Sequence, residues 1–265
     1  MLNSLKKNWK IYLIEAWGLG MFMISACGFT ILIFYQNSTI NELIHSDFIK
    51  RMLVGIAMGM TAVLLIYSKW GKKSGMHINP AVTLAQYQLD RISLEDAIFY
   101  IIFQFIGSAL GVAIVYLFLP EYLSNPSVNF AVTTPDKGIE IAFFCEFLLS
   151  FSLLSMVLMV SNNPKLANYT GCFAGLAVAL FITFEAPFSG MSMNPARTVG
   201  SAIWANNWTG IWIYFLAPIA GMQTAAWLFR KQYFNKKGEC GTMKMHFSGE
   251  KHNCPTYEVL KVYEK

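Results

Sequence analysis

Six long apolar stretches run through this chain of 265 residues, and they constrain its fold more than any other feature. They cover residues 11–35, 52–68, 97–119, 139–160, 166–184 and 208–229. A helix needs about 20 mostly apolar residues to cross the hydrocarbon core of a bilayer. The second stretch reaches that length once Phe48 and Ile49 are added. We therefore predict an all-α protein with six transmembrane helices that is embedded in the lipid bilayer.

The composition excludes several classes of protein. Hydrophobic residues make up 55% of the chain and charged residues only 13%, whereas about 25% of the residues of a soluble domain are charged. This argues against a soluble enzyme, a disordered chain and a nucleic-acid-binding protein, despite a net charge of +5. A membrane enzyme would need a nucleophile–base pair or clustered acids in its spans, and the sequence offers neither. We expect no enzymatic activity and no cofactor.

Basic residues are distributed unevenly between the two ends of the spans. Six spans bring both termini to one side of the membrane, and most basic residues fall on that side. Those residues are Lys6, Lys7, Lys10, Lys69, Lys72, Lys73, Arg91, Lys165, Arg230, Lys231, Lys236 and Lys237. The other side carries only Lys50, Arg51, Lys137 and Arg197. The positive-inside rule then predicts a multi-pass protein of the plasma or inner membrane with both termini in the cytoplasm.

Two apolar stretches are too short to span a membrane. Residues 79–89 lie between the second and third spans, and residues 194–204 between the fifth and sixth. Each begins with Asn-Pro-Ala, at Asn79 and Asn194. Asn is a preferred N-cap and Pro a preferred first helical residue, so each tripeptide predicts a helix start. Short segments interrupted by proline at matching places of two halves point to a site at the membrane midplane.

Other features repeat in the same order in both halves. Residues 100–107 match residues 214–221, and an acid lies in the first span of each half, at Glu15 and Glu146. Glycines four apart, which let helices approach closely, lie in spans two and five, at Gly55 and Gly59 and at Gly171 and Gly175. Three spans per half are an odd number, so the halves must be inverted. We predict a channel domain over 1–235, with repeats at about 9–125 and 135–232, and a cytoplasmic tail over 236–265.

Inverted half-helices would bring two helix N-termini together at the centre of the membrane. Each N-terminus carries roughly half a positive charge and repels cations. The amides of Asn79 and Asn194 can donate hydrogen bonds, and carbonyls of extended segments at 71–78 and 186–193 can accept them. Arg197, about one turn after Asn194, adds donors and positive charge. These features predict a pore for neutral hydroxylated molecules that excludes ions.

The paired motifs SGMHINPAVT (74–83) and SGMSMNPAR (189–197) are similar to those of the aquaporin family. The resemblance covers roughly residues 11–230. It implies the aquaporin fold with two re-entrant half-helices, one pore per subunit and a homotetramer. It also implies that Glu15 and Glu146 brace the re-entrant loops by accepting backbone N–H bonds, and that His77 supports the first loop. A proton relay through the acids and a pH switch at His77 are the alternatives.

The family's four-residue filter, carried over by alignment to the motifs, falls on Gly59, Ile182, Met191 and Arg197. Water-selective members have an aromatic residue and His where this chain has Gly59 and Ile182. The change predicts a wider and more apolar opening that suits a polyol, although the flexible Met191 side chain could fill the space.

Positions outside the filter resemble the nodulin-26-like group, which is associated with glycerol, urea, uncharged metalloid acids and water. They are Thr198, Ala202 and Tyr214. We predict a channel for small neutral solutes and water. The alternatives are a water-selective channel and, from other classes, an ion channel or a membrane scaffold.

The tail contains four residues that can ligate metals, at Cys240, His246, His252 and Cys254. Their spacing does not match the usual zinc-finger patterns. We expect a flexible tail and keep a metal site there as a hypothesis.

Overall fold

The computed structural model describes residues 1–237, which form six long helices and two short ones that matter below. They are α1 (Leu2–Phe34), α2 (Asp47–Tyr67), α3 (Pro80–Gln88), α4 (Leu94–Phe118), α5 (Ile139–Ser161), α6 (Thr170–Ser189), α7 (Pro195–Ala205) and α8 (Ile213–Lys237). Long helices lie at all six predicted spans, and five of them (α1, α2, α4, α5 and α6) are long and apolar enough to cross a membrane. Both predicted half-helices, α3 and α7, are confirmed. The tail residues Cys240, His246, His252 and Cys254 lie outside the described residues.

The helix α6 runs five residues beyond the predicted end of its span. The prediction stopped at residue 184, yet the helix continues through Glu185 and Pro187 to Ser189. Proline lacks the N–H that would bond to the carbonyl four residues earlier. That carbonyl belongs to Thr183, and it accepts a hydrogen bond of 3.4 Å from Arg51 Nε instead. A side chain from α2 therefore satisfies the group that proline leaves free.

Helix pairs within each half pack through a glycine. The helix α1 packs against α4, and α5 packs against α8. Gly107 of α4 lies on the carbonyl of Ala16, and Gly221 of α8 lies on the carbonyl of Phe147. Ala16 and Phe147 occupy matching places, one residue after the acid of their half. The same close contact is thus built twice, as the repeat predicts.

The helices α2 and α6 join the two halves along a glycine seam. A Cβ added to Gly175 would come within 2.5 Å of the carbonyl oxygen of Gly59, and a Cβ at Gly55 would meet the carbonyl of Ala179 at the same distance. No side chain fits at these places unless the helices move apart. The seam brings two backbones into direct contact and leaves the adjacent helix faces to line the interior.

Each half-helix packs mainly against a long helix of the opposite half. The helix α3 lies against α8, and α7 lies against α4. Ala81 and Ala85 of α3 share a buried cluster with Leu154 of α5 and Met222 of α8. Gly200 of α7 lies on the side chain of Ser108. This packing fixes the N-terminal ends of α3 and α7 next to each other.

Candidate functional site

The side chains of Asn79 and Asn194 lie where the two half-helices meet. Asn79 Oδ1 accepts a hydrogen bond of 2.9 Å from the N–H of Ala81 and so caps α3, and Asn194 Oδ1 caps α7 in the same way. Each amide nitrogen donates across the interface, from Asn79 to the Met193 carbonyl and from Asn194 to the Ile78 carbonyl, both at 2.7 Å. An amide has two N–H donors. The second hydrogen of each remains for a molecule in the interior.

The loops that precede the half-helices have matching backbone conformations. Gly75 and Gly190 end the preceding helices with φ of 82° and 79°. The residues one and three places further on also have positive φ, namely Met76, Ile78, Met191 and Met193. Such values are uncommon outside glycine and cluster at functional sites. The predicted extended segments are shorter than expected, because residues 71–74 and 186–189 are helical.

Glu146 holds the second loop from outside the interior. Its carboxylate is fully buried and accepts hydrogen bonds from Ser189 Oγ at 2.8 Å, Ser192 N at 2.7 Å and Met193 N at 2.6 Å. Three donors satisfy one carboxylate, so the acid is fixed to the loop.

Glu15 holds the first loop in the same manner. It is fully buried and accepts from His77 N at 3.0 Å, Ile78 N at 2.6 Å and Gln104 Nε2 at 2.9 Å. Neither acid is among the residues that line the interior cavity. This placement fits the bracing role implied by the resemblance and gives no support to a proton relay.

Tyrosines complete the support of both loops. Tyr100 OH donates to the Ser74 carbonyl at 2.8 Å, and Tyr214 OH donates to the Ser189 carbonyl at 2.7 Å. The His77 ring lies against Tyr100, with ring centroids 5.0 Å apart, and its Nδ1 is 3.2 Å from Thr83 Oγ1. His77 therefore contacts the loop, the half-helix and α4 at once.

A continuous cavity of about 1670 Å³ passes between these loops. Its lining includes Asp47, the first residue of α2, and Tyr67, the last. A helix rises about 1.5 Å per residue, so 21 residues extend about 30 Å, close to the thickness of a hydrocarbon core. Asn79, Asn194 and Arg197 all line the cavity. The cavity therefore has the length and position of a transmembrane pore.

Three of the four expected filter residues line this cavity, and one does not. Ile182, Met191 and Arg197 are in the lining, but Gly59 is absent from it and faces Gly175 in the α2–α6 seam. The prediction that Gly59 lines the pore is wrong. The lining residue is its neighbour Met58, whose Sδ accepts a hydrogen bond of 3.7 Å from Ser25 Oγ. The Met58 side chain therefore occupies the filter position that the sequence assigned to Gly59.

The guanidinium of Arg197 makes no hydrogen bond to any residue that the structure describes, and its Nη1 is buried without a partner. Its backbone N–H donates to Asn194 Oδ1 at 3.2 Å, which fixes the start of the side chain. A guanidinium carries five N–H donors. Arg197 therefore presents a charged and unoccupied donor group to the cavity.

Some residues of the site were missed from the sequence. Gln104 donates to both Glu15 and Thr83, and a lone amide in an apolar span was a detectable signal. Met58 could have been found only by deciding which face of α2 packs on α6. Thr133, which contacts α7 through Thr198, lies in a loop and gave no signal.

Comparisons with known proteins agree with this geometry. The family model described as major intrinsic protein matches residues 2–229. Aquaporin NIP1-2 of Arabidopsis thaliana is 32% identical over 197 residues, which are 73% of this chain and 67% of that protein. Glycerol uptake facilitator protein-like 6 of Lactiplantibacillus plantarum is 36% identical over 182 residues, which are 68% of this chain and 84% of that protein.

The shared region is a smaller part of some longer relatives. Aquaporin-4 of Bos taurus is 34% identical over 188 residues, and the chain spans 56% of its length; for Aquaporin NIP6-1 of Arabidopsis thaliana that share is 62%. The X-ray structure of the aquaglyceroporin from Plasmodium falciparum has a TM-score of 0.69 and 20% identity, and the match covers 86% of this chain and 96% of that one. At that identity the structure supports the fold alone.

Proposed function

We propose, proceeding from the fact that this chain belongs to the major intrinsic protein family, that its pore conducts water and small uncharged solutes such as glycerol and excludes ions and protons. Members of this family are channels and not enzymes, so the chain is a multi-pass membrane channel. One observation carries the proposal. Asn79, Asn194 and Arg197 present N–H donors to a single cavity that runs the length of α2.

Exclusion of cations follows from the charges along the cavity. The N-termini of α3 and α7 each contribute roughly half a positive charge, and Arg197 adds a full one. The acids in the described lining are Asp47, the first residue of α2, and Asp136, which precedes α5, and both lie at one mouth. A cation at the centre therefore finds no carboxylate to replace its hydration shell, whereas a neutral hydroxyl can accept from the amides.

The choice of solute depends on Met58, Ile182, Met191 and Arg197, which we propose as the selectivity filter. Three apolar side chains and one guanidinium in the same lining suit a molecule with a carbon face and a hydroxyl face. Methionine is flexible and can adapt to a bulky permeant. The name of one bacterial relative, glycerol uptake facilitator protein-like 6, supports passage of a solute beyond water.

A water-selective channel is the second candidate. One observation favours it: Met58 occupies the place that the sequence assigned to Gly59. With Met58 and Met191 in the same cavity, the opening is narrower than a glycine would leave. We therefore expect water to pass faster than glycerol.

Assembly and orientation are part of the proposal. We propose a homotetramer in the plasma or inner membrane, with one pore per subunit and both termini in the cytoplasm. The excess of basic residues on the side of the termini supports the orientation. In this arrangement residues 1–235 form the channel and residues 236–265 a cytoplasmic tail.

Proteoliposomes that contain a pH-sensitive dye test selectivity. An inward glycerol gradient should cause fast reswelling of vesicles with the protein compared with protein-free vesicles. An imposed pH gradient should decay at the same rate in both. Protein-dependent decay of the pH gradient would contradict exclusion of protons, and a current under voltage clamp would revive the ion-channel alternative. Fast osmotic shrinkage without reswelling would favour the water-selective candidate.

A further inference from the structure

We propose that Thr198 and Thr133 fix one wall of the pore and thereby set the largest solute that passes, which makes them positioning residues for selectivity. This inference rests on the proposed channel function. The wall is the loop 124–138 that precedes α5, called here the wall loop. Neither threonine lines the cavity, so the two side chains act through their hydrogen bond behind the pore surface.

The two threonines belong to a buried chain of hydroxyl groups. Thr133 Oγ1 lies 3.0 Å from Thr198 Oγ1, and the side chains are 3% and 1% exposed. Thr198 Oγ1 also hydrogen-bonds Ser192 Oγ, which in turn donates to the Asn194 carbonyl at 3.0 Å. Ser192 lies between two cavity-lining methionines. The chain therefore connects the wall loop to the backbone that positions the expected filter.

The wall loop forms part of the pore surface. The cavity that Met191 and Arg197 line is also lined by four residues of the wall loop: Val128, Ala131, Val132 and Thr134. Gly190 packs directly against the loop, since a Cβ added there would lie 3.0 Å from Thr133 Cα. A displacement of Thr133 would therefore change the width of the cavity beside Met191.

The wall loop also has a backbone that needs to be held. Asn129, Phe130 and Ala131 have φ of 41°, 53° and 49°, a run of three left-handed residues without a glycine. Such conformations are unfavourable for L-residues and persist only where the surroundings enforce them. Phe130 is buried in a hydrophobic cluster and anchors the run. A second anchor follows the run. Among the described residues, the Thr133–Thr198 bond is the one hydrogen bond between residues 127–136 and an element outside the loop.

The first half of the chain provides an internal comparison. Thr83 follows Asn79 by four residues, as Thr198 follows Asn194. Its Oγ1 lies 3.2 Å from His77 Nδ1 and accepts from Gln104 Nε2 at 3.1 Å. Gln104 belongs to the long helix α4, which packing already fixes. The equivalent bond of Thr198 reaches a loop instead, so of the two threonines only Thr198 is bonded to the wall loop.

The test compares valine substitutions, which keep the shape of threonine and remove its hydroxyl. Glycerol-driven reswelling and sucrose-driven shrinkage are measured on proteoliposomes with Thr198→Val, Thr133→Val and the double variant. Both single variants should raise the glycerol-to-water rate ratio several-fold and begin to admit erythritol. Both remove the Thr133–Thr198 bond, and Thr198→Val also removes the bond to Ser192, so the double variant should shift the ratio no further than Thr198→Val alone. It also leaves no unpaired hydroxyl between the two positions, so it tests the proposal even if a single variant folds poorly.

Two controls separate positioning from general destabilisation. Thr198→Ser keeps the hydroxyl and should keep the wild-type ratio. Thr83→Val, the matched variant of the first half, should keep the ratio even if it lowers both rates. The inference is overturned if the double variant conducts with an unchanged ratio, or if the effects of the single variants add. Wild-type vesicles that conduct no faster than protein-free ones would instead refute the proposed function.

Discussion

The side-chain amide of Asn79 donates a hydrogen bond of 2.7 Å to the backbone carbonyl of Met193, which lies in the opposite half of the chain. Asn194 returns the same bond to Ile78. Each asparagine therefore caps its own half-helix and holds the loop of the other. The two donors are fixed relative to each other, so a permeating oxygen meets a rigid pair.

Replacing Asn194 with Asp should lower water permeation and admit cations. A carboxylate cannot donate to the Ile78 carbonyl, and its negative charge offsets the positive ends of α3 and α7. We expect a slower osmotic shrinkage of proteoliposomes and a new cation conductance in planar bilayers. The control is Asn163→Asp, which adds the same charge on an exposed loop. If Asn194→Asp conducts water like the wild type without a cation current, the central donors are not the barrier.

Substitutions at Met58 and Gly59 should have different effects. Met58→Ala shortens a side chain that lines the cavity, so the glycerol-to-water rate ratio should rise several-fold. Gly59→Ala places a Cβ against the Gly175 carbonyl in the α2–α6 seam and should lower thermal stability and yield instead. The measurements are reswelling rates and thermal unfolding in detergent. If the Gly59→Ala protein has normal stability and altered selectivity, the result would indicate that Gly59 lines the pore.

Glu146→Gln should destabilise the second loop. A glutamine side chain keeps one acceptor oxygen, and its NH₂ group faces the backbone N–H of either Ser192 or Met193, which bond to different oxygens of Glu146. Each buried polar group left without a partner costs on the order of 1–3 kcal/mol. Thermal unfolding followed by tryptophan fluorescence should show a lower midpoint, together with slower water permeation. Glu140→Gln, at an exposed acid in the first turn of the same helix, should change neither.

Arg197→Val should weaken discrimination in two ways. It removes a bulky side chain from the cavity and a charge that opposes cations. Glycerol reswelling should accelerate and a proton leak should appear in dye-loaded vesicles. Arg197→Lys keeps the charge but has three donors in place of a planar fork, so it should keep protons out while altering solute rates. A proton-tight Arg197→Val channel would show that the helix ends suffice for exclusion.

The fold was predictable from the sequence because it depends on strong local signals. Long apolar runs determine the spans, and Asn-Pro at 79–80 and 194–195 determines where α3 and α7 begin. The predicted end of α6 was five residues too early. There the helix continues because Arg51 satisfies the Thr183 carbonyl, a long-range contact that a local pattern does not contain.

The site was predictable where residues lie in motifs and not where packing decides. Asn79, Asn194 and Arg197 follow directly from the repeated tripeptide. Gly59 carried two signals, a filter position by alignment and a packing position by its spacing from Gly55. These uses are incompatible, because a residue that contacts the α6 backbone cannot also face the pore. Adjacent residues of a helix differ by about 100° in direction, so an alignment shifted by one residue selects the wrong face.

Stopped-flow light scattering of wild-type proteoliposomes tests the central claim most directly. Vesicles are exposed first to a sucrose gradient and then to an inward glycerol gradient. We predict shrinkage several-fold faster than in protein-free vesicles, followed by protein-dependent reswelling that is slower than the shrinkage. Vesicles that contain folded protein and respond to both gradients at the protein-free rate would contradict the claim that this cavity is an open pore for water and small neutral solutes.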